Sequence, residues 1–526
     1  MNKTREELVA DLRRRVADHI LEPTNAALLE RLIMQAVDDN EAVMIASLGT
    51  TYKRTGLHFD KRLERPTPEI HYLRRNKALS FGDGETPHRL IIGDNLHALQ
   101  NLLIQYRGQV DVIYIDPPYG KDSMGQFAET NYENAITRDN LLSMLHPRLM
   151  LARQLLSDSG VIFCSIDDRN QAYVKCLFDD VFGERNFIAT VIWERAYAPV
   201  NLKKHFSESH DYVLCFAKSI DQAVCNGLPR TEEANNRYSN PDNDPRGVWK
   251  AADCTVGPAV EEKVYEIVLP SGRRVVPASG RCWVYSKDRF DDMVSDGRIW
   301  FGEDGDSTPA VKKYLSEVKQ GMTPMTIWKY TEVGHSQDAT KDLKSIFGDN
   351  FVFPYPKPTG LIQRLCSLYG GKDALVLDFF AGSGTTGQAV LELNRQDGGN
   401  RRFILCQLNE VTDTTPNGIA HDVTAKRLKR VMTGECYDGT RDFAWAQKNQ
   451  PYGGSLEVAD IATVADFNAR PGQSAFDVID ETFYGQQRFE RMEKKVEWVC
   501  RNFEPTQVSL EGDREWRARR MEADQR

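Results

Sequence analysis

A strand–helix rhythm that runs, stops for about 150 residues and then resumes constrains this chain more than any other feature. Arg89–Gly93 is a short apolar run, and Asn95–Leu103 follows with helical spacing. Val110–Ile115 is a β-branched run ending at Asp116, Leu141–Leu156 has the spacing of a long amphipathic helix, and Gly160–Ile166 is a second buried run. Gln171–Phe182 is helical again, and Thr190–Trp193 and Tyr212–Phe216 read as two further strands. Later, Ala374–Phe379, Thr385–Leu393 and Phe403–Leu408 repeat strand, helix, strand. Strands that are apolar throughout and alternate with helices predict a parallel α/β sheet covered on both faces. That sheet is expected in two halves, 86–196 and 346–440. Between them, 197–345 is punctuated by Pro and Gly, as in Asn240–Gly247 and Leu269–Arg273, and predicts an inserted domain of loops and small hairpins. Residues 1–85 read as a helical extension whose faces carry Leu8, Val9 and Leu12, then Leu28, Leu29, Leu32, Ile33 and Ala36. The extension ends in a linker marked by Pro66, Pro68, Gly82 and Gly84. The stretch 441–526 falls outside the catalytic pattern and is expected to offer contacts to a second protomer or partner.

Composition excludes several classes. A chain of 526 residues suggests about two to four units, and 41% hydrophobic residues suffice for a sizeable core. No run of about 18 apolar residues exists, so no membrane span is expected. The start, Met1–Glu7, lacks the apolar stretch of a signal peptide. The ten cysteines form no Cys-x-x-Cys pair, which argues against zinc or a disulfide framework and for a reducing cytoplasm. A net charge of −9 is unusual for a nucleic-acid enzyme. Local clusters such as Lys203-Lys204, Arg273-Arg274 and Lys312-Lys313 could still line a basic cleft, with Arg246, Arg273 and Arg281 as candidate base or phosphate contacts. Any of these equally suits a solvated face.

Two segments carry chemistry. Asp116-Pro117-Pro118-Tyr119 follows a buried strand, where ligands bind in open α/β sheets. An exocyclic amine such as adenine N6 is a poor nucleophile because its lone pair is delocalised into the ring. A carboxylate on Asp116 and the carbonyl of Pro117, each accepting one N6 hydrogen, would localise that pair. The prolines fix the backbone, and Tyr119 offers a flat face for a base turned out of its duplex. In the second segment, Asp378-Phe379-Phe380-Ala381-Gly382-Ser383-Gly384-Thr385, a strand runs into a small-residue turn and a helix. Gly382 and Gly384 permit close backbone approach, and a helix N-terminus favours an anionic group. Gly387 completes a formal Gly-x-Gly-x-x-Gly, so the loop alone also fits a dinucleotide; with Asp378–Ala381 before it and Asp116 elsewhere in the chain, it resembles the S-adenosylmethionine loop of methyltransferases.

The tetrapeptide is that of amino-methyltransferases acting on exocyclic amines, and its position before the cofactor loop resembles their beta class. Over roughly 88–500 the chain resembles the modification subunits of type III restriction systems. The resemblance rests on Gly93-Asp94-Asn95-Leu96, Tyr114–Tyr119, Pro147-Arg148-Leu149, Ser165–Asp168, Asp244-Pro245-Arg246-Gly247 and Gly398–Leu405. It implies a Rossmann-like S-adenosylmethionine-dependent sheet in permuted order, with 197–345 as a target-recognition domain for double-stranded DNA. It also implies adenine-N6 methylation, a homodimer, and a helicase-nuclease partner. Asp94 would lie near the cofactor's adenine, and Lys357, in Phe353-Pro354-Tyr355-Pro356-Lys357-Pro358, would contact the cofactor. Relatives place a ribose-binding glutamate where this chain has Gln407; the nearest acid is Glu410, so the role falls between these two. The alternatives are an N4-cytosine enzyme, which more often carries Ser at the position of Asp116, and a DNA-binding subunit without catalysis, against which both intact segments weigh.

Overall fold

The computed structural model describes residues 4–17, 21, 23–48, 70–84, 87–118, 138–199, 204–318, 321–348, 352–463 and 475–508. Tyr119, the linker prolines Pro66 and Pro68, Lys203 and the tail from Asp513 lie outside these residues.

One ten-stranded sheet organises the molecule. Its strands in chain order are β1 (His71–Arg75), β2 (His88–Ile92), β3 (Val110–Ile115), β4 (Leu156–Ile166), β5 (Phe187–Glu194), β6 (His210–Ala217), β7 (Ile327–Trp328), β8 (Leu375–Asp378), β9 (Arg402–Gln407) and β10 (Leu456–Thr463). Across the sheet they run β1-β10-β2-β9-β8-β3-β4-β6-β5-β7. The six from β10 to β4 are parallel. Antiparallel β6 joins β4 to β5, and β1 runs antiparallel to β10 at the other edge. Alternation along β3 divides the core: Ile113 and Ile115 join Leu99 and Leu102 of helix Asn95–Tyr106 and Leu145 and Leu149 of helix Arg138–Leu155. Val112 and Tyr114 join Leu361 and Leu365 of helix Thr359–Tyr369 and Val390 of helix Thr385–Asp397 on the opposite face. Burial on both faces explains why these strands read as unbroken apolar runs.

Two features depart from the expected plan. Residues 456–463, left outside the catalytic pattern, form β10, and residues 71–75, within the expected linker stretch, form β1. Glu457 and Asp460 break the apolar run of β10, and each finds a partner in the fold. Arg89 and Arg75 pair with Glu457 at 2.9 and 2.8 Å, and Asn76 donates to Asp460. Beyond β10, the buried Tyr484 hydroxyl accepts the Leu73 N–H and donates to Asn101, tying the C-terminal stretch to the sheet edge.

The interruption between the halves is also narrower than its sequence signal. β6, β7 and the helix Ser336–Phe347 join the main body, with Trp328 and Ile346 in its core. A separate core forms around Cys254, Leu269, Trp283, Phe290 and Val311. Strands Trp249–Asp253, Ala310–Tyr314 and Ile299–Trp300 make a three-stranded sheet there. The candidate DNA-contacting arginines are each paired with carboxylates: Arg246 with Asp244 and Asp296, Arg273 with Asp306, and Arg281 with Asp253. Lys312 is buried and pairs with Asp242 and Asp244. Hydrogen bonds from Arg246, Tyr314 and Lys312 hold Asp244 well below the usual carboxylate range despite its burial. At the chain's start, helices Arg5–Ala17, Pro23–Gln35 and Asp39–Leu48 close around Leu12, Ile33 and Ala42 as a further small core.

Candidate active site

β3 and β8 are neighbours, with Val112 opposite Val376 and Ile113 opposite Leu377, although about 260 residues separate them in the chain. From β8 the chain moves to β9 on one side, and from β3 to β4 on the other. Their carboxyl ends therefore flank a topological switch point, where open α/β sheets form a ligand crevice. The fold thus brings Asp116-Pro117-Pro118 beside Asp378–Thr385. Pro117 is buried, while Asp116 and Pro118 are partly exposed. Beneath Asp116, the Tyr114 hydroxyl hydrogen-bonds Ser165 at 2.8 Å and fixes β3 against β4.

The turn after β8 is braced from below. Asp378 is 2% exposed and accepts hydrogen bonds from the Phe380 N–H and the Thr386 hydroxyl. Burial raises its carboxyl to about 7 against those two bonds, with a further push from Asp116 and a smaller opposing pull from Lys357. Gly382 and Gly384 have φ of +52° and +80°, conformations a side chain disfavours. A Cβ on Gly382 would also stand 3.1 Å from the ring of Phe353. The Gly382 N–H donates to Gln407 Oε1 at 2.7 Å, and its carbonyl accepts the Thr424 hydroxyl at 2.6 Å. Thr424 sits in a π-helical turn, Ala420–Ala425, of a kind that often marks functional sites. Behind the loop the fully buried Arg427 donates to the Ser383 and Thr385 hydroxyls and to Gln388, and pairs with Asp342. The hydroxyls of Ser383 and Thr385, expected at a cofactor, are thus engaged by Arg427. Phe379 and Ala381 are both buried.

Other expected residues fall into different surroundings. Asp94, at the end of β2, caps helix Asn95–Tyr106 through the Leu96 N–H and pairs with the buried Arg148 at 3.0 Å. Arg148 also donates to Asn95, whose amide donates to the Phe379 carbonyl, linking the end of β2 to the turn after β8. Gln407 spends its amide on the Gly382 N–H and the Leu408 carbonyl, and Glu410, the other ribose candidate, is partly exposed. Lys357 meets the other half of the site: its Nζ lies 2.5 Å from Asp116 Oδ2. Sequence spacing treated the two as independent. Nearby Asp211 is buried and pairs with Arg195 at 3.0 Å. Burial raises its carboxyl, which Arg195 and Lys357 lower and Asp116 raises again.

These surroundings fit a cofactor with a nucleoside and an amino-acid end. The glycine backbone lies at the N-terminus of helix Thr385–Asp397, Phe353 sets an apolar ring against Gly382, and Lys357 brings a cation beside Asp116. Among the described residues, no group of three or more His, Cys, Asp and Glu is placed to hold a metal ion. Arg148, Asn95, Thr424, Arg427 and Phe353 are site-shaping residues whose roles the spacing did not reveal. Only Asn95, Arg148 and Phe353 lay within stretches singled out in the sequence.

Residues 110–413 match a family model described as a DNA methylase. Residues 11–112 match one described as an uncharacterised conserved protein. The chain is 31% identical to the type III restriction-modification enzyme StyLTI Mod subunit of Salmonella typhimurium, over 76% of this chain and 66% of that protein. It therefore spans about two thirds of that relative's length. It is 30% identical to the type II methyltransferase M.KpnI of Klebsiella pneumoniae, over 66% of this chain and 88% of that one. A solved putative DNA modification methylase of Thermus thermophilus, complexed with S-adenosyl-L-methionine, aligns with 70% of this chain and 99% of its own, at 18% identity and a TM-score of 0.31.

Proposed function

The chain belongs to the DNA methylase family, and on that footing we propose that it is an S-adenosylmethionine-dependent methyltransferase acting on the N6 amine of adenine in double-stranded DNA. The observation that carries this reading is the meeting of Asp116-Pro117-Pro118 with the glycine turn across β3 and β8. S-adenosylmethionine, when bound, supplies a methyl group already activated by its sulfonium. The protein's part is to present the amine. Asp116 Oδ accepts one N6 hydrogen and the Pro117 carbonyl the other, which turns the nitrogen lone pair towards the donor. As the new N–C bond forms, the surplus proton leaves through the Asp116 carboxylate. Removing a preorganised electrostatic partner of this kind costs about 3–4 kcal/mol of transition-state stabilisation.

The identity with a type III Mod subunit supports a place in a restriction-modification system. There the chain would act as a homodimer beside a helicase-nuclease subunit, with the unit around Trp283 and Phe290 reading the DNA sequence. The test is direct. DNA from a host expressing the chain is digested to nucleosides, and N6-methyladenine is measured against N4-methylcytosine. We expect N6-methyladenine from the wild type and a loss of roughly a hundred- to a thousandfold in single-turnover transfer for Asp116→Ala. N4-methylcytosine, or near-normal transfer by Asp116→Ala, would refute the assignment.

A further inference from the structure

One short segment touches both halves of the site. Phe353 lies against Gly382 of the glycine turn, and four residues on, Lys357 lies against Asp116. Between them Tyr355 adopts φ +53°, a left-handed conformation that is costly for a bulky side chain. Such strain persists where surrounding contacts over-determine it, and it concentrates at ligand clamps and switches. Here the kink divides the segment into an end facing the cofactor turn and an end facing the catalytic carboxylate. The Lys357–Asp116 contact is well shielded, with the two side chains 10% and 25% exposed. An ammonium at 2.5 Å occupies one lone-pair direction of Oδ2 and competes with any other donor for that oxygen. Lysine is a point charge on a flexible four-carbon stem and can change carboxylates with little backbone movement.

Resting on the methyltransferase reading above, we propose that Lys357 is a positioning residue shared between the two halves of the site. It holds the Asp116 carboxylate and is drawn from it by the carboxylate of the bound cofactor. The acceptor for the adenine amine is then released when the methyl donor is in place. Such sharing gives the enzyme an order, donor before base, and it makes an unusual demand on binding. Asp116 competes with the cofactor for Lys357, so removing the charge of a catalytic residue must tighten the cofactor's hold.

Calorimetry on the full chain with S-adenosylhomocysteine tests this, with 5′-methylthioadenosine as the probe that lacks the amino-acid carboxylate. Asp116→Asn should bind S-adenosylhomocysteine at least about fivefold more tightly than the wild type, the lower end of the usual range for coupled sites. Lys357→Met should bind it more weakly by a similar factor. Neither change should alter 5′-methylthioadenosine binding by as much as twofold. A merely structural role for the pair would weaken both ligands in both variants, and that result would overturn the proposal. So would Asp116→Asn binding S-adenosylhomocysteine as the wild type does or less tightly, whether or not Lys357→Met folds. If the wild type bound no S-adenosylhomocysteine, the methyltransferase reading would fall and this inference with it.

Discussion

Asp378 is conspicuous in its motif, and its carboxylate braces the turn that follows it through the Phe380 N–H and the Thr386 hydroxyl. Its carboxyl is buried under the glycine turn and raised to about 7 by that burial. Between about pH 4 and 7 the folded chain holds a proton there that the unfolded chain has lost, so stability falls as pH rises through that window. Asp378→Asn keeps an acceptor for the Phe380 N–H and has no charge to desolvate. Its melting temperature relative to the wild type should therefore climb as pH goes from 5 to 8, by an amount worth on the order of a few kcal/mol. A difference that stays flat with pH, in scanning calorimetry, would count against this account. Gly382→Ala should act in the opposite sense at all pH values. The left-handed backbone would cost about 1–2 kcal/mol, and the new Cβ would press on Phe353. We expect weaker S-adenosylhomocysteine binding together with a lower urea midpoint. Both motifs were legible in the sequence because their residues are consecutive. Arg427 and the Asp94–Arg148–Asn95 chain were not, because each acts across space on a turn to which no spacing rule connects it.

At the scale of elements, the strands apolar throughout declared themselves, and β10 and its edge neighbour β1 did not. β3, β4, β8 and β9 are buried on both faces, so composition alone marks them. β10 carries Glu457 and Asp460, whose charges read as surface until Arg75, Arg89 and Asn76 are seen beside them. Tyr484 is the fastening of that edge. Tyr484→Phe would leave the buried Leu73 N–H without its acceptor and Asn101 without a donor. An unsatisfied buried group costs about 1–3 kcal/mol, which equilibrium urea unfolding would read as a lower midpoint at unchanged slope. Deleting residues 1–48, which have their own core, should leave the main unfolding transition within about a degree of the full chain's, by calorimetry.

For the whole molecule, the sequence conveyed the two-part sheet and the interruption between its halves, but drew the interruption too wide. Pro and Gly mark loops without telling where the sheet ends: Tyr212–Phe216, read as a strand but left inside the insert, is β6 of the main sheet, and β7 returns to it as well. Exchanging the self-contained stretch 239–317 for a relative's should change which DNA sequence is methylated, mapped by modification-sensitive sequencing, while leaving S-adenosylhomocysteine affinity within about twofold. An unchanged methylated sequence would remove the recognition role from that unit.

The adjacency of β3 and β8 has a consequence for a chain still being made. A ribosome extending at about 5–20 residues per second leaves β3 waiting roughly 13–50 s for its central neighbour, with the whole inserted unit emerging in the interval. Through that time β3 and β4 can pair, but the other edge of β3 presents unsatisfied backbone to any passing strand. The nascent protein thus completes the unit we assign to reading DNA well before it acquires any means of marking it. β2 waits longer still, since both of its neighbours, β9 and β10, come later in the chain than β8.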